Sequence, residues 1–134
     1  MASEDAPRYR RAWFALGWLM VLMVVIGSLA PSAPSVPGGV SDKFMHFAAY
    51  AGLAFVFMGA TGRHRWLRIA VGLLALGASI ELAQAGLTEA RSAEWLDMAA
   101  NALGVAGGIA AAWLLPGNWC RQVEAVAGVG RQGR

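Results

Sequence analysis

The sequence predicts an all-α integral membrane bundle of four transmembrane helices with both termini in the cytoplasm. Three observations carry that reading. The 134 residues are 57% hydrophobic and only 14% charged, with a mean hydropathy of +0.50, an apolar excess foreign to soluble domains of this size. Four segments, 12–30, 44–60, 69–87 and 98–115, approach the roughly 20 apolar residues that cross a bilayer. The basic residues also fall unevenly on the segments' two sides.

The first segment follows Arg8, Arg10 and Arg11 and precedes "SLAPSAPS", a layout that imitates a secretory signal. Pro31 and Pro34 disfavour cleavage there and the apolar run is long for a signal, so the segment is expected to stay as helix 1. "PSAPSVPGG" at 31–39 cannot continue a helix and forms the first loop. Ser41 and Asp42 are N-cap residues for the second helix, and "TGRHR" at 61–65 separates the second from the third. The fourth helix starts near Asp97, whose carboxylate suits the positive end of a helix dipole. Gly104 and Gly108, with Gly107 between them, predict close helix packing. Short connections make consecutive helices antiparallel neighbours. The chain divides into a cytoplasmic N-terminal segment 1–11, a four-helix membrane domain 12–117 and a cytoplasmic C-terminal tail 118–134.

Nine of the 11 basic residues lie before helix 1, between helices 2 and 3, or after helix 4, and only Lys43 and Arg91 lie on the other side. The positive-inside rule therefore places both termini in the cytoplasm and the Lys43 and Arg91 loops outside. Trp13, Trp66 and Trp119 fit an inner interfacial belt and Trp95 an outer one. The pI near 9.8 reflects this topology and contact with anionic membrane lipids, not nucleic-acid binding. Cys120 is the single cysteine, so no disulfide framework exists.

With that topology, polar residues inside the spans share one depth. His46 and Tyr50 stand four apart on helix 2, Glu81 and Gln84 three apart on helix 3. Asp97, Asn101, Gly104 and Gly108 draw one stripe down helix 4. Each has a structural reading: caps for Asp42 and Asp97, an interhelical hydrogen bond for Asn101, an interfacial anchor for Tyr50. Glu81 and His46 resist dismissal, because ionisable groups in a span face a partner or a cavity. His46 is the first expected partner of Glu81, Arg91 the second.

"DKFMHFAAY" at 42–50, "IELAQ" at 80–84 and "RSAEWLDMAANALG" at 91–104 closely resemble the signature of VanZ-like proteins, small membrane proteins of bacteria. The resemblance covers roughly 40–108 and matches at Asp42, Lys43, His46, Tyr50, Glu81, Gln84, Arg91, Asp97, Asn101 and Gly104. It implies a multi-pass protein of the bacterial cytoplasmic membrane and an association with resistance to the glycopeptide teicoplanin. It names no reaction.

The residues define an outward-facing polar pocket. Lys43 and Arg91 are cationic donors, and the N-termini of helices 2 and 4 point at the same layer, which suits phosphate or carboxylate head groups. Asp42, Tyr50, Gln84, Asp97 and Asn101 complete the expected ligand-binding set. A binding protein for an amphiphile, a lipid-linked cell-wall precursor or a lipoglycopeptide needs nothing more. A hydrolase or transferase acting on a lipid head group would use His46 or Glu81 as acid or base. A proton-coupled transporter ranks last, because the inner halves of the spans offer no polar path. His46, Glu81 and Asp97 make too weak a signature to predict a metal, and no cofactor is predicted.

Overall fold

The computed structural model describes residues 6–30, 42–87 and 95–128, which form five helices. They are α1 Arg10–Leu29, α2 Asp42–Thr61, α3 Trp66–Leu87, α4 Trp95–Leu114 and α5 Trp119–Val126. The four predicted spans are α1 to α4, each long and apolar enough to cross a membrane. The proline-rich stretch 31–39 lies outside the described residues. A single 3-10 turn, Arg63–Arg65, leads into α3. The break before it is local chemistry: Gly62 takes a φ of 88°, open to glycine, and its N–H reaches back to the Met58 carbonyl at 2.9 Å.

α2 is the central helix, touching all four others, and its strongest partner is α4. These two run parallel. A Cβ on Gly104 would fall on the Phe47 carbonyl oxygen and 3.1 Å from the Ala51 nitrogen; one on Gly108 would strike the Ala51 carbonyl and come within 2.9 Å of Ala54 Cβ. The glycines thus let two backbones touch, the close approach that lipid-embedded helices use where apolar burial gives no advantage over lipid. Asp97, Asn101, Gly104 and Gly108 are all buried, as their stripe predicts. Tyr50, Leu53, Ala54 and Met58 of α2 pack with Ile69 and Leu73 of α3 and Val105 and Ala112 of α4. α1 is peripheral, with Gly17 its single buried residue; a Cβ there would meet the Phe57 ring at 2.8 Å.

The segment assigned from sequence to a tail contains α5, docked under the bundle. Asn118 caps it, accepting from the Cys120 and Arg121 N–H groups, and donates to the Gly59 carbonyl at 2.9 Å. Trp119 stacks on Phe55 with ring centroids 4.5 Å apart, donates from its indole to the Phe55 carbonyl at 3.1 Å, and meets Trp13 edge-on at 5.2 Å. It is therefore a packing residue as well as a candidate belt residue. Glu124 then accepts from the Arg8 and Tyr9 N–H groups at 2.8 and 3.0 Å and from the Trp13 indole at 2.9 Å. Tyr9, the N-cap position of α1, has no side-chain cap of its own, so Glu124 does that work from the far end of the chain.

The electrostatics at this end follow. Slight burial raises the Glu124 carboxyl, but the Tyr9, Trp13 and Arg8 donors and the Arg121 charge outweigh it and hold the group below its ordinary 4.5. Burial, reinforced by the Glu124 charge, pushes the Cys120 thiol up to about 12.

Gly104→Leu is expected to destabilise the bundle in detergent by about 1–3 kcal/mol or more, the cost of overfilling a packed contact. Leu103→Phe, at a residue that is 65% exposed, should stay within about 0.5 kcal/mol of the parent. Equal unfolding midpoints would show that the two helices do not meet there.

Glu124→Gln should free α5 and raise the rate of maleimide labelling of Cys120 at neutral pH several-fold. Because the folded-state carboxyl is depressed, its contribution is complete above the ordinary value of 4.5 and is lost as pH falls through the folded one. The wild type should therefore expose Cys120 on acidification below that range, read with a disulfide probe active in acid. A labelling rate unmoved by both changes would contradict the latch.

Candidate functional site

At the end of the bundle opposite Glu124, the first turns of α2 and α4 bring polar side chains together. Lys43 Nζ lies 2.6 Å from Asp97 Oδ1. His46 Nδ1 lies 3.0 Å from Asn101 Oδ1 and, with that amide orientation, donates to it. The other ring nitrogen, Nε2, faces Asp97 Oδ2 at 3.8 Å and Asp42 Oδ2 at 4.0 Å. One Asp97 oxygen thus holds the lysine while its twin faces the imidazole.

Helix spacing produces this arrangement. Lys43 and His46 are three apart on α2, Asp97 and Asn101 four apart on α4, so each pair lies on one face. The contact of Gly104 with Phe47 fixes the axial register between the two faces. Asp97 stands in the first turn of α4, where the helix dipole favours its charge. Exposure is graded: Asp42 is exposed, Lys43 and His46 are intermediate, Asp97 and Asn101 are buried.

α3 packs against both of these helices. A Cβ on Gly77 would come within 2.9 Å of Asn101 Nδ2 and 3.2 Å of the Tyr50 hydroxyl, so Gly77, Tyr50 and Asn101 share one level. One turn nearer the site stand Glu81, His46 and Asp97, because α3 runs opposite to α2 and α4. Glu81 is 5% exposed and interacts electrostatically with Tyr50. The expected partnership with His46 is not formed: the imidazole engages Asn101, Asp97 and Asp42, each of which reaches it along or across the α2–α4 contact. Arg91, the second partner expected for Glu81, lies outside the described residues.

Two further residues are placed more deeply than a ligand contact requires. Tyr50 is 1% exposed and belongs to the core. Gln84 is buried, and its amide donates to the Ser28 carbonyl in the last turn of α1 at 2.7 Å, tying α3 to α1. Ser28 and Gly77 went unnoticed in the sequence. Gly77 was findable: it continues the Glu81 and Gln84 stripe at the same helical spacing. Ser28 acts through its backbone, for which a sequence carries no mark.

Asp42, His46 and Asp97 place one possible ligand atom each within 4.8 Å of the others, a set able to hold a cation. Glu81, which the sequence reading grouped with His46 and Asp97, is not among them. The Lys43 ammonium already supplies positive charge at Asp97, 2.6 Å from its Oδ1. Chemically the cluster offers a half-buried ammonium and, about one turn further along α2, an imidazole whose Nδ1 is engaged by Asn101 and whose Nε2 faces two carboxylates.

No protein-family model matches this chain, and no curated protein and no solved structure matches it.

Proposed function

We propose that this chain is a VanZ-like protein of the bacterial cytoplasmic membrane whose polar cluster binds the head group of an amphiphilic or lipid-linked envelope component on the outer face. The observation that carries the reading is the Lys43–Asp97–His46–Asn101 network, gathered at one end of two tightly packed membrane helices. An ion pair and a half-buried imidazole are costly in so apolar a bundle, and a role at the head-group level accounts for them. Lys43 is the donor for a phosphate or carboxylate, with Arg91 the second cation of the same reading. Asp97 and Asp42 hold Lys43 and His46 in place, and Glu81 and Gln84 close the α3 side. A link to teicoplanin resistance belongs to this reading, since a lipoglycopeptide and its wall-precursor targets would meet the cluster from outside.

The opposite end supports the orientation. Arg63, Arg65 and Arg68 lie beyond the C-terminal end of α2, and Arg8 meets Glu124 at that same end. With positive charge inside, both termini are cytoplasmic.

The His46 geometry favours one second reading, a hydrolase or transferase. An imidazole oriented through Nδ1, with Nε2 facing a carboxylate, is general acid–base equipment.

A reporter fused after Arg134 should be active only in the cytoplasm and one inserted at Gly38 only outside. The reverse pattern would move the cluster to the inner leaflet and end the extracellular reading.

Purified protein incubated with radiolabelled bacterial lipid extract should retain labelled amphiphile without converting it. Lys43→Gln should lower retention about tenfold or more, the scale of one charge-assisted hydrogen bond, with the fold intact by circular dichroism. Unchanged retention would sink the binding reading. A new labelled species, lost in His46→Gln, would establish the enzyme instead.

Glu81→Gln keeps shape and hydrogen bonding but removes the charge, and should fold normally while losing retention. If Glu81 is only structural, the single variant should instead unfold, a buried partner left alone costing about 3–5 kcal/mol.

A further inference from the structure

A second site lies away from the polar cluster, and it stands whether or not the function proposed for that cluster is right. Between α1, α2 and α3 runs a groove of about 500 Å3, walled by Phe14, Trp18, Val21, Ile69, Leu73 and Leu76. Arg65 and Arg68 line one end of it, and Ser79 the other. The Ser79 hydroxyl is spent on the Ala75 carbonyl at 2.8 Å, so the far end offers no free donor.

From Arg68 to Ser79 the groove follows about 16 Å of helix at 1.5 Å per residue, close to half of the roughly 30 Å hydrocarbon core. It is therefore about as long as one leaflet is deep. Its two ends differ in chemistry as the two ends of a lipid do. Arg65 spends only its Nε on His64, at 3.2 Å, and Arg68 makes no hydrogen bond or ion pair among the described residues. Both guanidinium groups are exposed. Arg10, over the Phe14 ring at 5.7 Å, adds a third cation beside the groove. Gly72 opens the middle: a Cβ there would meet nothing within 4 Å.

We infer that this groove is a binding site for an anionic glycerophospholipid, with one acyl chain along α1 and α3 and its phosphate on Arg65 and Arg68. Guanidinium forks suit phosphate oxygens, and basic residues between membrane helices are a recognised setting for acidic head groups. The apolar walls alone would take any chain. The arginines make the site prefer negative charge.

The test uses full-length protein in phosphatidylcholine nanodiscs containing a minor fraction of phosphatidylglycerol, with bound lipid counted by native mass spectrometry. Wild type should enrich phosphatidylglycerol over phosphatidylcholine about tenfold or more, the scale of one charge-assisted hydrogen bond. Arg65→Gln with Arg68→Gln should bring that ratio near unity, and Gly72→Leu should lower retention of both lipids by filling the groove. A photoreactive phosphatidylglycerol on the wild type gives a readout free of any variant's folding, with label expected on Trp18 or Leu76. No preference in the wild type, full retention by Gly72→Leu, or label confined to other faces would each overturn the site. The last two would show that the arginines gather acidic lipid diffusely at the surface.

Discussion

The close contact of the α2 and α4 backbones is the constraint on which the rest of the structure depends. Lipid tails are as apolar as leucine, so helices in a bilayer gain little by hiding side chains and much by packing closely. Gly104 and Gly108 remove the side chains that would keep α4 away from Phe47 and Ala51. That approach fixes the axial register of the pair, and register decides which polar residues meet one and two turns further along. Asp97 reaches Lys43, and Asn101 reaches His46, because the glycines below them admit no slippage.

Polar groups elsewhere are settled by the same economy of partners. Each helix end exposes backbone groups that lipid cannot satisfy. Arg63 donates to the Leu115 and Ala112 carbonyls at the end of α4 while lying 5.9 Å over the Trp113 ring. Gln84 does the same for Ser28 near the end of α1, and Asn118 for Gly59 near the end of α2. Several polar residues of this bundle, buried or half-buried, are thus helix terminators borrowed from another segment. A candidate ligand residue must be separated from this group before a role is assigned to it.

Much of the fold was legible because it rests on local properties. Apolar length located all four spans, and the 97–101–104–108 stripe identified the buried face of α4. The candidate site was legible as a layer and less so as a set of pairs. Spacing places His46, Glu81 and Asp97 at one depth, yet which of them touch depends on how α2, α3 and α4 are rotated about their axes. Rotation is set by Gly77, Gly104 and Gly108, whose contribution is an absence of atoms. Tyr50 and Gln84 carry the same polar groups whether they face a ligand or a neighbouring helix, so their burial could not be read ahead. α5 was missed for a different reason. It is only 8 residues long, and its stability comes from the Trp119 and Glu124 contacts rather than from its own composition.

The Glu124 carboxylate also orders events in time. The backbone N–H groups it receives belong to Arg8 and Tyr9, just ahead of α1, and the acceptor emerges from the ribosome more than a hundred residues later. Until then α1 has an unfinished N-terminus and only one buried residue to hold it to the bundle. Arrival of α5 closes the circle. A chain released before residue 124 would carry the four spans without the clasp that joins α5 to the start of α1.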